Sequence, residues 1–514
     1  MAAGFLLRLK LAAELFLNED EALHFMAANQ PSWKLTYQAS LTISHPPLLI
    51  FLLHLWRGLG TSELVLRLPC VIAGSIFCWF LFKWLTHLFG METGLIGVTF
   101  ASFLPPMIAL SAEIRQYSLL LCFAICTMYF LEQALAENSA AKMMLSSVCL
   151  WLAILSQYSA VLLAAALGIY SLLRMSNKPP GRRLMAVWVG GQAGALLICL
   201  LLYFSYLSVF GRQALHSWMD IYLHNSYFDP ARHHVLLFAL TRTVSLFQYV
   251  LGQNAIGDVM FILWLVGMVF VFRSTDSSRS VSKAQLGTLL LLPFAMNCAA
   301  AFVDLYPYGG TRHCIFLAIF AIAGISFALS KLIRGGLLQA VAIAAGIVVL
   351  CNLFPSHRLP YMAPTDQKKI HMQQAIAFIH EHIPPNDLLF VDSQTSLLLG
   401  HYLCAQQPFF INVWKQGFQT LNCGGYRIAA ADGNVFSFRA SNFLPTWNEM
   451  VRTYNLQSAD SVWVVQAGWL WEDNVAGELQ ARYPEFHDLK GRSFGRNISI
   501  FQLRVEHRMP ETTG

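Results

Sequence analysis

Four groups of polar residues interrupt a mostly apolar sequence, and each could do chemistry. The first, Asn18-Glu19-Asp20-Glu21, directly follows an apolar segment, where carboxylates are costly unless they are solvated or used. Asp20 or Glu21 could act as a general base that takes a proton from an acceptor hydroxyl in a water-poor cavity. The bland alternative is a solvated helix start whose acids suit the helix dipole. The second group is Ser44-His45-Pro46-Pro47-Leu48, ahead of an apolar run that ends at Trp56. A double proline marks a helix entry, and His45 at that entry serves either the structure or a substrate. The run behind it is too short to span a bilayer, which reads as a re-entrant or interfacial helix.

The third group is Ser111-Ala112-Glu113-Ile114-Arg115-Gln116-Tyr117, a tight turn between two apolar segments. The fourth is Tyr306-Pro307-Tyr308-Gly309-Gly310-Thr311-Arg312-His313, ahead of another. Arg115 and Arg312 need anionic partners at such places. A structural ion pair to Glu113 or Asp304 is one answer. A lipid phosphate or diphosphate is the other, because a guanidinium fork matches phosphate oxygens bidentately.

The elements that must position these groups are membrane helices. Of 514 residues 56% are hydrophobic and 12% charged, with mean hydropathy +0.51, where soluble domains carry about a quarter charged residues. Apolar runs near 67–89, 93–110, 116–135, 143–156, 158–173, 186–208, 257–272, 285–303, 314–330 and 337–354 predict a polytopic α-helical membrane protein of about 10–11 spans. Basic residues gather in the loops holding Arg174, Lys178, Arg182 and Arg183, then Arg273, Arg279 and Lys283, then Lys331 and Arg334. With these spans all three loops fall on one face, which charge bias makes cytoplasmic. The net charge of +6 is thereby explained by orientation, and nucleic acid is excluded as a partner. Residues 18–66, the 111–115 turn, a long 209–256 loop, the 304–313 loop and everything after about 355 then lie on the opposite face. The segment 5–17 is short for a span and carries Arg8, Lys10 and Glu14, so it reads as a truncated first span or an interfacial helix.

Beyond residue 355 the sequence turns polar and proline-punctuated. Helical spacing of Met372, Ile376, Ile379 and Ile383, with strand-like runs at 388–392, 408–412, 461–465 and 498–505, predicts a C-terminal extracytoplasmic α/β domain. The domains are thus 1–354 and 355–514. Nine of the 11 cysteines sit in or beside apolar segments as small buried hydrophobes. Cys404 and Cys423 could pair if their domain is outside the cytoplasm. No cysteine or histidine spacing suggests a structural metal.

Taken in order, the Asp20-Glu21 pair, HPPL, GTSELVLRLP at 60–69, SAEIRQYSL and YPYGGTRH resemble the GT-C membrane glycosyltransferases. The likeness is to glycosyltransferase family 39, the protein O-mannosyltransferases and the aminoarabinose transferase of lipid A. It covers roughly residues 10–354. The resemblance implies a polyprenyl-phosphate sugar donor, an inverting transfer to a glycan, lipid or protein acceptor, and a catalytic carboxylate in the first outer loop. It implies a multi-pass protein of a bacterial inner membrane with its site on the periplasmic side. Asp20 matches the family's aspartate and becomes the base, with Glu21 and Glu113 as assisting acids. Arg67, Arg115 and Arg312 become donor-phosphate contacts, and His45, Tyr117, Tyr308 and His313 further substrate contacts. Some family members bind a divalent cation near this site, which here would fall to Asp20 and Glu113. The C-terminal domain stands outside the shared membrane module. The rival reading is a transporter of an anionic or lipid-linked substrate, whose polar residues would sit nearer the bilayer midplane.

Overall fold

The computed structural model describes all residues except 209–222, 274–280, 334, 357–366, 405–416, 433–434, 458–459, 469–474, 483–490 and 506–514. Arg279, Arg334 and the expected strand 408–412 lie outside the described residues. The chain divides into two compact units. The first is Met1–Ala12, Ile43–Leu49 and Arg67–Met362; the second is Ala13–Thr42, Ile50–Leu66 and Ala363–Gly514.

The first unit is a helical bundle. Its helices are α5 (Glu63–Phe89), α6 (Met91–Phe103), α7 (Pro105–Ala109), α8 (Tyr117–Glu137), α9 (Ala140–Ser156), α10 (Ala160–Asn177), α11 (Arg182–Leu202), α12 (Val235–Leu251), α13 (Asn254–Arg273), α14 (Lys283–Phe302), α15 (Ala318–Leu332) and α16 (Leu337–Leu353). A tighter helical turn, Arg312–Leu317, leads into α15. Among the described residues, seven helices are long and apolar enough to cross a membrane. The protein is therefore a multi-pass integral membrane protein.

Two expectations change. The run 93–110 is not one helix: proline disfavours helical backbone in the residue before it, and Leu104 (φ −64°, ψ 133°) ends α6 before Pro105 opens α7. The stretch 209–256 is not simply a loop, because it contains α12. Phe238 of α12 packs on Phe302, Thr243 and Ser245 hold Tyr308 and Gly310, and the carbonyl of Gly252 accepts from Ser356. These partners all belong to connections expected on one face, so α12 runs along that end of the bundle.

The N-terminal helix α1 (Ala2–Glu14) accommodates its charge by packing. Arg8 is 1% exposed, and its guanidinium donates to the carbonyls of Gly4, Ala101, Ser102 and Met107. Ala101 and Ser102 belong to the last turn of α6, where carbonyls lack helical partners and the dipole favours a cation. A second buried group ties α8 to α10: Tyr170 donates to Glu132, and Arg174 Nη2 lies 3.4 Å from the same carboxylate.

The second unit holds α2 (Glu19–Ala28), α3 (Trp33–Ser40), most of α4 (Leu48–Trp56), and the C-terminal α/β fold. That fold has strands β1 (Leu388–Val391), β2 (Gly417–Cys423), β3 (Tyr426–Asp432), β4 (Ser461–Ala467), β5 (Gly491–Phe494) and β6 (Ile498–Arg504) in the order β2-β3-β1-β4-β6-β5. β1 is parallel to both β3 and β4, and the outer pairings are antiparallel. Helices α17 (Lys369–His382) and α18 (Ser393–Tyr402) share one core with one sheet face, whereas α19 (Ala440–Thr453) and α20 (Val475–Arg482) share another core with the opposite face. Cys404 is disulfide-bonded; the side chain of Cys423, its expected partner, lies outside the described residues. The other nine cysteines are free thiols.

Candidate functional site

Arg115, Tyr117, Arg312, His45 and His313 converge in the first unit. Arg115 immediately precedes the cap of α8, and Arg312 opens the turn that feeds α15. Both guanidinia approach one ring, with Cζ 5.6 Å (Arg115) and 5.8 Å (Arg312) from the Tyr117 centroid. The face of an aromatic ring attracts cations. Arg115 is 2% exposed and Arg312 9%. Arg115 Nη2 also donates to His45 Nε2 (3.4 Å) and to Tyr117 Oη (3.5 Å), and the His313 ring meets Tyr117 edge-on at 6.3 Å. Two guanidinia at the starts of two helical segments present donors of the kind that match the oxygens of an anion.

A polar chain crosses the same place. Gln116 Nε2 donates to Gln157 Oε1 (3.5 Å), Gln157 Nε2 to Tyr306 Oη (3.2 Å), and Tyr306 Oη to the carbonyl of His313 (3.3 Å). Nearby, Gln116 Oε1 and Ser118 Oγ are buried without a hydrogen-bond partner among the described residues. Buried polar groups are nearly always satisfied, so such a cluster suits water or a ligand.

Sequence reasoning missed Gln116, Gln157 and Tyr306 as neighbours of the arginines. Gln157 was visible as the polar break between two apolar helices. It also missed Arg242, in the middle of the apolar helix α12. Arg242 stacks over Phe238 (5.8 Å) and makes no hydrogen bond or ion pair with the described residues, and its Cδ lies 3.2 Å from where a Cβ on Gly309 would be. A cation in an apolar helix beside the Tyr-Pro-Tyr-Gly-Gly loop is a functional feature by default. The signal was present in VLLFALTRTVSLFQYVL, where the arginine stands alone.

Two other expected contacts are buried in the helical bundle. Arg67 is buried and donates to the carbonyl of Ala12 in the last turn of α1 (2.9 Å). Tyr308 is buried, its hydroxyl bonded to Thr243 (2.7 Å) and its amide to Ser226 (2.8 Å). Glu113 is half-buried in the turn before Arg115, whose amide bonds the Glu113 carbonyl.

Asp20 and Glu21 belong to the second unit. Asn18 and Glu21 form a reciprocal capping box: Glu21 N donates to Asn18 Oδ1 and Asn18 N to Glu21 Oε2, each at 2.9 Å. Glu19 and Glu21 are buried, whereas Asp20 is half-exposed. Successive helical residues point about 100° apart, so three adjacent acids take three directions. No group of three or more His, Cys, Asp or Glu among the described residues is arranged to hold a metal ion.

Residues 44–208 match the model of the dolichyl-phosphate-mannose-protein mannosyltransferase family. The fold is similar to that of ArnT from Cupriavidus metallidurans bound to undecaprenyl phosphate (TM-score 0.57, 12% identity, covering 99% of this chain and 98% of that one). It is also similar to the oligosaccharyltransferase of Archaeoglobus fulgidus (TM-score 0.51, 13% identity, covering 91% of this chain and 69% of that one). Among curated proteins none matches by sequence. The likeness to ArnT covers the C-terminal α/β fold as well as the helical bundle. The chain thus shares its fold with ArnT, and its residues 44–208 are similar to the dolichyl-phosphate-mannose-protein mannosyltransferases.

Proposed function

We propose that the protein moves a sugar from a polyprenyl-phosphate donor to a hydroxyl of a lipid, glycan or protein acceptor, with inversion. The reaction takes place at the extracytoplasmic face of a bacterial cell membrane. The observation that carries this reading is the pair of buried arginines sharing the Tyr117 ring where two apolar helices begin. Such a pair suits an anion in a membrane bundle, and ArnT, of similar fold, binds undecaprenyl phosphate.

In this reading Arg115 and Arg312 hold the donor phosphate and, with Arg242, neutralise the charge that develops as it leaves. His45 fixes Arg115 by accepting its Nη2 proton. The acceptor oxygen attacks the anomeric carbon opposite the phosphate. One C–O bond forms as the C–O bond to phosphate breaks, and Asp20 takes the hydroxyl proton. One displacement inverts the anomeric centre and needs one base, unlike the two-carboxylate retaining route. Glu21 holds the helix start that carries Asp20, and Glu113 assists from the Arg115 turn.

The test uses purified full-length protein in liposomes with undecaprenyl-phosphate mannose, glucose or aminoarabinose, and follows release of undecaprenyl phosphate in the presence of acceptor lipid or peptide. Asp20→Asn, which keeps volume and removes the base, is expected to abolish release while undecaprenyl phosphate still binds. Wild-type rates in that variant would remove Asp20 from the chemistry.

A further inference from the structure

In the second unit the connection from β1 to β3 passes through α18 on one sheet face, and the connection from β3 to β4 returns through α19 on the other. The chain therefore reverses direction across the sheet between β1 and β4. In open α/β sheets the crevice at the carboxyl ends of such strands is the usual place for a ligand. Here the chain's own N-terminal segment occupies it.

Gly468 follows β4 at that edge. A Cβ there would overlap Glu19 Oε1 and come within 2.6 Å of Gln394 Nε2. Its φ of +154° also disfavours other residues. Glu19 opens α2 and is 1% exposed. Gln394 is fully buried, and neither amide atom finds a hydrogen-bond partner among the described residues. The walls are fixed: Thr395 Oγ1 donates to the Ala467 carbonyl (3.0 Å) and accepts its amide (2.9 Å), while Asp392 accepts the amides of Thr395 (2.8 Å) and Phe438 (2.9 Å).

The rest of α2 is moulded to the same fold. Ala22 shares a core with Leu397, Leu398 and Leu399. Phe25 meets His401 edge-on at 4.9 Å. Leu17 N donates to Tyr402 Oη (2.8 Å), which donates to Glu63 Oε1 (3.2 Å), and Glu63 is paired with Lys369 at 2.7 Å.

We infer that the carboxyl-edge crevice of the C-terminal sheet is a socket for Glu19 whose function is to position Asp20, with Glu19, Gln394 and Gly468 as positioning residues. The crevice is thereby turned to holding the helix that carries Asp20. The inference rests on the reading of Asp20 as the base. Glu19 is held in the socket and Glu21 closes the capping box, whereas Asp20, between them, is half-exposed.

Two variants of the full-length protein in liposomes test it. Gly468→Ala forces Glu19 aside, and the near-isosteric Gln394→Glu sets a second carboxylate against it. Each is expected to lower kcat for undecaprenyl-phosphate release by roughly tenfold to a hundredfold, the cost of a misplacement near 1 Å. The donor KM should stay within about threefold, as for an interaction felt mainly in the transition state. Amide hydrogen exchange over 22–28 should accelerate while that of β1 and β4 does not. Shortening the anchor in Gly468→Ala/Glu19→Ser should recover part of kcat. Unchanged kcat and unchanged α2 exchange in both variants, with Asp20→Asn inactive, would overturn the socket and leave the base. Turnover by Asp20→Asn would instead overturn the base, and α2 exchange then decides the socket alone.

Discussion

At the residue scale, Arg115 and Arg312 are cations buried inside a helical bundle. Arg115 and Arg312 approach a common ring at 5.6 and 5.8 Å, so Tyr117 is the shared support of the proposed phosphate clamp. Removing either guanidinium is expected to weaken undecaprenyl-phosphate binding by about 1.5–3 kcal/mol, the range for hydrogen bonds to charged groups. Tyr117→Phe, which keeps the ring, should cost less than Tyr117→Ala. Titrating the lipid into each variant measures this order, and equal losses for Phe and Ala would show that the ring face does not matter. A second residue-level prediction concerns Asp392, whose carboxyl is pushed up to about 7 by burial, opposed by its bonds to the Thr395 and Phe438 amides. The folded state then holds a proton that the unfolded chain, titrating near 3.9, releases. This contribution is complete below about pH 4, shrinks as pH rises and is gone above about pH 7. Thermal unfolding of the full chain at several pH values should show Asp392→Asn with a flatter slope over that window. Identical slopes would remove Asp392 as the cause.

At the element scale, helices were legible where composition alone decides, and less so where tertiary partners do. Apolar runs located α5, α8 and the helices from α9 to α11, because length and hydropathy suffice. They missed the break at Leu104, although Pro105-Pro106 announced it, and they hid α12, whose apolar run is broken by Thr241, Arg242, Thr243, Ser245 and Gln248. The hairpin β2–β3 also went unread, since Gly417–Cys423 lacks a strand-like apolar pattern and gains its order from pairing with β3. For α1 the sequence showed only the anomaly of Arg8. The structure gives its reason: the guanidinium satisfies carbonyls at the end of α6. Arg8→Met keeps the length and removes every donor, so it should lower stability by roughly 2–4 kcal/mol. The thermal midpoint in detergent reads this directly, and an unchanged midpoint would mean those carbonyls find water instead.

At the scale of the whole molecule, separate lines bear on sidedness. Arg174 lies in the last turn of α10, Lys178 follows it, Arg182 and Arg183 open α11, Arg273 and Lys283 flank the α13–α14 connection, and Lys331 lies in the last turn of α15. Positive charge in short connections marks the cytoplasmic side. The disulfide at Cys404 points to an oxidising compartment for the C-terminal fold. The two criteria share no residue, and each supports the proposed extracytoplasmic reaction. The arginines and histidines of the site were legible one by one, but their convergence was not, because it depends on how α8 and α15 begin beside one another. Lys178→Cys should react with a membrane-impermeant maleimide only after permeabilisation, whereas Glu381→Cys should react in intact cells. Both positions are exposed, so a silent thiol reports sidedness rather than burial. Labelling of Lys178→Cys in intact cells would invert the topology and place the anion site of Arg115 and Arg312 where cytoplasmic nucleotide sugars, rather than lipid-linked ones, are the donors at hand.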